Sequence, residues 1–547
     1  MCNKNISNTS VSKFISDILY LRGVRYAVIS PGSRNTPLTK AFIENKKIKC
    51  YSQIDERSSA YFALGIAKTS NKPVAIITTS GTAVANLMPA VIEASLSRTP
   101  LILLTADRPK RLINTGASQT IDQVDLFGHY VRETIDFDLK DNSILEKLKK
   151  IHHFLDFALG HKTFLPPGPI HFNIRFDEPL LDKSLNILKA IESKKYKKRF
   201  DKVLLGTFKN PIIICGPLSR NISDEAIIDL SKTIKAPILA DSLSQLRFNK
   251  NSRRINVFYD NYIHSLKIKP DIILRFGEKP ISKNLNLFID KYKSITYLID
   301  EFAGFNDDAE NIIISDLESF KDAVNKEDDS ENIQNEITGY EDRINKSFIE
   351  NVKNSSSQAQ ILNETFKYIK NNDRIFIGSS TIIRTFDQLS GKSSKSINLF
   401  SNHITRGIDG TVSSALGMAA AQKDGNNFLF IGDISFFYDL NAFHILRNGK
   451  INLNIIVINN NGGQIFSRLP YSNDNIKEFD KYWITPLETS IVDACNLFKL
   501  NYLKSTIEEI GNNLKKAIAK KGINVIEVSI DNKNDMSFTA KMFNKIN

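Results

Sequence analysis

Short apolar runs that stop abruptly at Gly, Ser, Asp or Asn recur along this chain, and stretches with helical spacing separate them. "YAVISPGSR", "PVAIITTSG" and "PLILLTADRP" are three such runs, with "ERSSAYFALGIAKTS" and "TAVANLMPAVIEASLS" between them. Strands that alternate with helices predict parallel, doubly wound sheets of the α/β class. The pattern continues through "NPIIICGP", "APILADSLSQL", "PDIILRFGEKP" and "SITYLIDE", and returns at "DRIFIGSS". With 547 residues the chain is long enough for several cores. The expected divisions are residues 1–185, 186–345 and 346–547. A polar segment, 324–357, reads as an exposed helical connection into the third block. No short-period repeat is present, but three similar blocks suggest duplication at the scale of domains.

Composition narrows the class of function. Apolar residues make up 41% and charged residues 24%, as in ordinary globular proteins. No run of eighteen apolar residues predicts a membrane span, and the polar start "MCNKNISNTSVSKF" has no secretory apolar region. Cys2, Cys50, Cys215 and Cys495 are scattered without a CxxC pair, which fits a reducing cytoplasm. Lys plus Arg exceed Asp plus Glu by 73 − 60 = 13. These cations are spread along the chain, without a basic helix or an aromatic-studded RNA motif. A lysine-rich solvated surface is therefore expected, not nucleic-acid binding.

One stretch carries chemistry. "NNFLFIGD" reads as a buried parallel strand that delivers Gly432 and Asp433 at its carboxyl end. "SFFYDLNAFHILRNG" follows with helical spacing and a stop at Gly449, and "LNIIVINNNGG" is the neighbouring strand with its loop. Ligands of open α/β sheets bind beyond the carboxyl ends of strands, so both loops face one crevice. Asp433 supplies an anionic oxygen, Asn460 an amide oxygen, and Gly462 lets its backbone carbonyl come close. A magnesium ion takes about six oxygens and draws the remainder from phosphate and water. A helix beginning near Ser435 offers N–H groups to that phosphate. Taken singly, Asp433 is a helix cap and "NNNGG" a surface turn. Their spacing of 460 − 433 = 27 across one βαβ unit points to a joint metal and diphosphate site.

This pairing of Gly-Asp with a later Asn-Asn resembles the motif of thiamine diphosphate enzymes. "SPGSRNTPLT", "ITTSGTAVANLMPAVIEAS", "GASQTIDQVDLFG", "GIDGTVSSALG" and "NNNGGQIFSRLP" look like the menaquinone-pathway branch of that superfamily, MenD, over nearly the full length. The resemblance implies thiamine diphosphate with magnesium or manganese as cofactors. It implies decarboxylation of 2-oxoglutarate and conjugate addition of the succinyl carbanion to isochorismate. It implies three α/β domains, with Glu56 as the carboxyl group that hydrogen-bonds the aminopyrimidine and promotes ylid formation. Gly407, Ile408, Gly432, Asp433, Ser435 and Asn460 would hold the cofactor, with Ile408 wedging it into a bent form. Asp433, Asn460 and Gly462 would hold the metal. Ser33, Arg34, Gln119, Lys283, Ser380, Arg384 and His403 would meet substrate carboxylates or hydroxyls, beside an apolar wall of Ile465 and Phe466. The resemblance also implies a homo-oligomer in which Glu56 of one copy serves the diphosphate domain of another.

The chain departs from the family pattern in places. "NHITRGIDG" puts His403 where the family has a substrate-binding arginine, with Arg406 three positions later. Either residue is a candidate for the missing charge. Ser118 stands where asparagine is common, and Arg111 where an acidic residue is usual. The alternative reading is another thiamine diphosphate-dependent carboligase or decarboxylase of 2-oxo acids, which would not need so many cations.

Overall fold

The computed structural model describes residues 6–544 except 162–164, 183–189, 191–197, 219–221, 249–252, 322, 327–331 and 423. Its three six-stranded sheets are parallel throughout. The first contains β1 (Tyr26–Ile29), β2 (Lys49–Ser52), β3 (Val74–Thr78), β4 (Leu101–Asp107), β5 (Thr134–Asp138) and β6 (Ile170–Arg175), in the order β2-β1-β3-β4-β6-β5. A small parallel pair joins β7 (Gly206–Phe208) to β14 (Val324–Lys326). The second sheet has β8 (Pro211–Cys215), β9 (Ile238–Ala240), β10 (Ile255–Asn256), β11 (Ile272–Phe276), β12 (Thr296–Ile299) and β13 (Asn311–Ile313), ordered β10-β9-β8-β11-β12-β13. The third has β15 (Arg374–Ile377), β16 (Asn398–Ser401), β17 (Asn427–Gly432), β18 (Leu453–Asn459), β19 (Asn501–Ser505) and β20 (Ile523–Ser529), ordered β16-β15-β17-β18-β20-β19. Counted from its own first strand, the third sheet repeats the order of the first, in line with duplication.

The central strands are buried along their whole length, as β3 and β8 show. Strands covered on both faces by helices must be apolar at successive positions, which is why they stand out in the sequence as unbroken runs. Contacts divide the chain into two compact units. One comprises Met1–Lys198, Asp409–Lys423 and Asp439–Ile451; the other comprises Arg199–Ile408, Asp424–Tyr438 and Asn452–Asn547.

Two helical expectations change. The connection expected to be exposed is the helix Asn332–Val352, and Ile333, Ile337, Ile344, Phe348 and Val352 are buried in the core of the second sheet. Its few apolar residues fall on one stripe, so the helix docks despite its polarity. Glu341 goes in with them and accepts from the N–H groups of Val257 (3.0 Å) and Phe258 (2.8 Å). The helix expected near Ser435 begins at Asp433, ends at Tyr438, and passes through Asp439 into a 3₁₀ segment, Leu440–Asn448. Asp439 is buried and takes the N–H (2.7 Å) and hydroxyl (3.0 Å) of Ser413, a tie that a continuous helix on a solvated face would not make.

Within the first unit the helix Glu56–Ser70 crosses the helix Thr411–Ala421 through glycines. A Cβ at Gly65 would lie 2.0 Å from the Ser414 carbonyl oxygen, and one at Gly417 2.1 Å from that of Phe62. Gly65→Val is therefore expected to lower stability by about 3 kcal/mol or more, because overpacking meets backbone here. A Cβ at Gly339, within the helix Asn332–Val352, would meet no atom within 4 Å. Gly339→Ala is expected to raise stability by about 1 kcal/mol. Thermal unfolding of the two variants checks both signs, and equal melting temperatures would contradict the crossing.

Candidate active site

In the second unit the strand order reverses between β15 and β17, and their carboxyl ends open a crevice of the kind that binds ligands. Asp433 stands at the end of β17 and is buried. Its Oδ1 accepts from the N–H of Ile434 (2.9 Å) and its Oδ2 from the N–H of Gly462 (2.7 Å), which ties the β17 and β18 loops together. Gly462 has φ of 114°, and a Cβ there would lie 2.2 Å from the Ile484 carbonyl oxygen. Only glycine fits. The Gly462 carbonyl accepts from the N–H of Gln464 at 2.8 Å.

The three asparagines at the end of β18 and in the loop after it differ in role. Asn459 donates to Glu527 (2.8 Å) and accepts from the N–H of Asn461 (3.1 Å), and Asn461 turns the chain at φ 58°. The Asn460 side chain has no hydrogen-bond partner among the described residues. Burial pushes the Asp433 carboxyl above the usual carboxylate range, against the backbone N–H groups of Gly462 and Ile434. A divalent cation would relieve that cost, and the unpartnered amide of Asn460 is a second oxygen for it. No group of three His, Cys, Asp or Glu capable of holding a metal exists among the described residues. A cation here would need further oxygens from a bound phosphate. The residues therefore fit a metal–diphosphate pair and not a metal alone. Ser435 is buried two positions into the same short helix, and Gly432 leaves open space beside it.

The rest of the crevice brings together several expected residues. Ser379 Oγ donates to the Gly407 carbonyl at 2.9 Å, joining the loop after β16, with Gly407 and Ile408, to the start of the helix Thr381–Leu389. Ser380 precedes this helix with φ of 70°, and Arg384 Nη1 donates to its carbonyl at 2.9 Å. Lys283 begins the helix Lys283–Lys291, capped by Ser282. Asp260 accepts from Ser282 and, at 2.5 Å, from Gln388, so the start of the Lys283 helix is linked to the end of the helix Thr381–Leu389. Ile465 and the Phe466 ring are half-buried at the turn after Gly463. His403 is engaged elsewhere: its Nε2 lies 2.6 Å from Oε2 of Glu278. Glu278 follows β11 in a loop where a Cβ on Gly216 would lie 1.8 Å from its carbonyl oxygen. Sequence reasoning missed this partner, because the two residues lie 125 positions apart.

In the first unit the reversal falls between β1 and β3. A Cβ on Gly32 would lie 2.3 Å from Thr79 Cβ, so the loop of Ser33 packs on the end of β3. Gln119 has φ of 57° and joins the same place, donating to the Ser80 carbonyl at 3.1 Å. Arg34 is buried; its Nη1 donates to the Phe176 carbonyl (3.2 Å) and lies 3.2 Å from Glu178. Burial, then Arg108, holds its guanidinium below the ordinary value. Arg108 donates to the Ser118 carbonyl at 3.2 Å, and Arg111 is paired with Asp177 at 2.6 Å. Glu56 opens the helix Glu56–Ser70 directly behind the Asp55 cap, which accepts from the Ser58 N–H at 3.1 Å. Burial first, and Asp55 next to it, raises the Glu56 carboxyl above the usual range.

The geometry is that of a thiamine diphosphate-binding enzyme, and two matched families agree. Residues 9–126 match "Thiamine pyrophosphate enzyme, N-terminal TPP binding domain" and residues 388–528 match its "C-terminal TPP binding domain". The chain is 33% identical to a 2-succinyl-5-enolpyruvyl-6-hydroxy-3-cyclohexene-1-carboxylate synthase of Listeria innocua, over 98% of this chain and 97% of the relative. It is 33% identical to the synthase of Bacillus pumilus, over 100% of this chain and 98% of the relative. With the synthase of Staphylococcus epidermidis the identity is 36%, over 87% and 86% respectively. The chain belongs to the 2-succinyl-5-enolpyruvyl-6-hydroxy-3-cyclohexene-1-carboxylate synthase family. No helix among the described residues is long and apolar enough to cross a membrane.

Proposed function

We propose that this protein decarboxylates 2-oxoglutarate and adds the succinyl unit to isochorismate, giving 2-succinyl-5-enolpyruvyl-6-hydroxy-3-cyclohexene-1-carboxylate for menaquinone biosynthesis in the cytoplasm. The observation that carries this reading is the Asp433–Gly462 tie with the unpartnered Asn460 beside it, in a chain similar to such synthases along its whole length. Asp433, Asn460 and the Gly462 carbonyl would hold Mg²⁺ or Mn²⁺, and Gly407, Ile408, Gly432 and Ser435 would line the cofactor. Thiamine diphosphate, when bound, supplies the electron sink that decarboxylation of a 2-oxo acid requires. Glu56 is half-buried, and burial raises its carboxyl above the usual range, which suits it to exchange a proton with the cofactor ring. Ser33, Arg34, Gln119, Lys283, Ser380, Arg384 and His403 are assigned to substrate carboxylates and hydroxyls, and Ile465 and Phe466 exclude water beside the ring. Incubation with thiamine diphosphate, Mg²⁺, 2-oxoglutarate and isochorismate, followed by mass identification of the product, tests this. A different acceptor product, or simple release of succinic semialdehyde, would point to another carboligase or decarboxylase.

The same reading makes the enzyme a homo-oligomer with Glu56 of one copy serving Asp433 of another. Mixing Glu56→Gln subunits with Asp433→Ala subunits after co-expression is expected to restore activity, up to about a quarter of wild type from random pairing. One site per mixed dimer then holds both native residues. Two inactive variants that stay inactive together would place both residues of each site in a single chain.

A further inference from the structure

Arg384 does not stand alone in its crevice. The hydrogen bond from Ser379 Oγ to the Gly407 carbonyl, 2.9 Å, pins the loop that carries Arg406 against the start of the Arg384 helix. Arg406 has φ of 53° and is exposed, and among the described residues its guanidinium makes only a long contact, 3.3 Å, from Nε to the His403 carbonyl. Arg468 approaches from the turn after β18. Its Nη2 lies 2.5 Å from Asp535 Oδ2, and Asp535 also accepts two bonds of 2.8 Å from Gln358. Gln358 Nε2 in turn donates to Thr381 Oγ1 at 3.1 Å, in the first turn of the Arg384 helix. These links set three guanidinium groups around one helix start. Burial, then Arg406, then Arg468, pulls the Arg384 guanidinium below its ordinary value. Neither Arg384 nor Arg406 has a carboxylate partner among the described residues, and Arg468 Nε is buried without an acceptor. The cluster thus sets three guanidinium groups against one carboxylate, Asp535, a surplus of positive charge that a bound anion would offset.

We propose that Arg406 and Arg468 complete, with Arg384, a carboxylate-binding subsite for the polyanionic substrates. The inference rests on the function proposed above and deepens it. His403 contributes less, because Glu278 already meets its ring at 2.6 Å. Three guanidinium groups near one helix start offer planar donor forks of the kind that suit the carboxylate of a di- or tricarboxylic acid.

The test uses the full chain loaded with thiamine diphosphate and Mg²⁺. Arg406→Gln and Arg468→Gln are each expected to raise KM for 2-oxoglutarate or isochorismate about tenfold or more, with a smaller change in kcat. Arg468→Lys recovers part of the loss, and His403→Gln gives a smaller rise than either arginine variant. Succinate, titrated by calorimetry without turnover, weakens in step with KM. A purely structural Arg468 would instead lower the melting temperature and leave the affinities together; Arg406, being exposed, keeps the test valid if Arg468→Gln folds poorly. Unchanged KM and succinate affinity in both glutamine variants would overturn the proposal, as would a larger effect at His403. If wild type binds succinate through these arginines yet forms no product, the subsite stands and the assigned reaction falls.

Discussion

Asp433→Asn is expected to cost thiamine diphosphate affinity about a hundredfold or more and to erase its dependence on Mg²⁺. Even groups that only orient a metal ligand contribute about ten- to a hundredfold to affinity, and Asp433 is assigned as the sole anionic ligand. Asparagine is the informative replacement because its oxygen can still accept the Gly462 N–H, now at 2.7 Å, so the loop tie survives while the charge is lost. Alanine would remove both. The apo protein should respond in the opposite direction. Burial raises the folded-state pKa of Asp433 above its unfolded value. A raised carboxylate pKa contributes stability that is fully present below the unfolded value, near pH 3.9, and is lost as pH rises through the folded one. At neutral pH the ionised, metal-free carboxylate therefore weighs against folding, and Asp433→Asn should melt at the same temperature as wild type or higher. Adding Mg²⁺ and thiamine diphosphate should stabilise wild type by mass action and leave the variant unmoved. Calorimetric titration and melting curves read both effects; a variant that keeps wild-type affinity and metal dependence would remove Asp433 from the site.

The architecture was legible in the sequence because central parallel strands covered on both faces run apolar over most successive positions. β3, β8 and β17 all show that signature. The pairing of Asp433 with the Gly462 loop was legible because the two sit at the ends of adjacent strands, β17 and β18, where spacing along the chain reports distance in space. Other features were hidden for physical reasons. The helix Asn332–Val352 carries its apolar residues one or two per turn among charges, so its composition reads as exposed although its stripe is buried. The break at Asp439 depends on a buried tie to Ser413, and nothing local marks it. Asn459, Asn460 and Asn461 are chemically identical in the sequence; only their neighbours separate a strand anchor, an unpartnered amide and a turn. The His403–Glu278 pair joins loops after different sheets, a contact that no periodicity encodes.

Glu56→Gln is expected to leave thiamine diphosphate binding intact while slowing proton exchange at the thiazolium carbon by about a hundredfold to ten-thousandfold, the usual contribution of a positioned acid or base. Gln keeps the shape and the hydrogen-bonding capacity of the side chain and loses only the exchangeable acid. The structure explains why this carboxyl binds a proton more readily than a surface glutamate. It is half-buried at the start of its helix, and the neighbouring Asp55 adds a like charge. Both push in the same direction, so the protonated form persists to higher pH. Asp55→Asn separates the two causes. Asparagine remains a good helix cap and can accept from the Ser58 N–H, so the helix should hold. Losing the charge lowers the Glu56 pKa, and the limb of the exchange-rate profile governed by Glu56 should move to lower pH with its plateau little changed. Hydrogen–deuterium exchange of the bound cofactor, followed across pH for the two variants, reports the step without substrate turnover. Wild-type exchange rates in Glu56→Gln would exclude Glu56 as the proton-bearing group. A pH limb that stays in place in Asp55→Asn would show that burial alone sets its affinity for the proton.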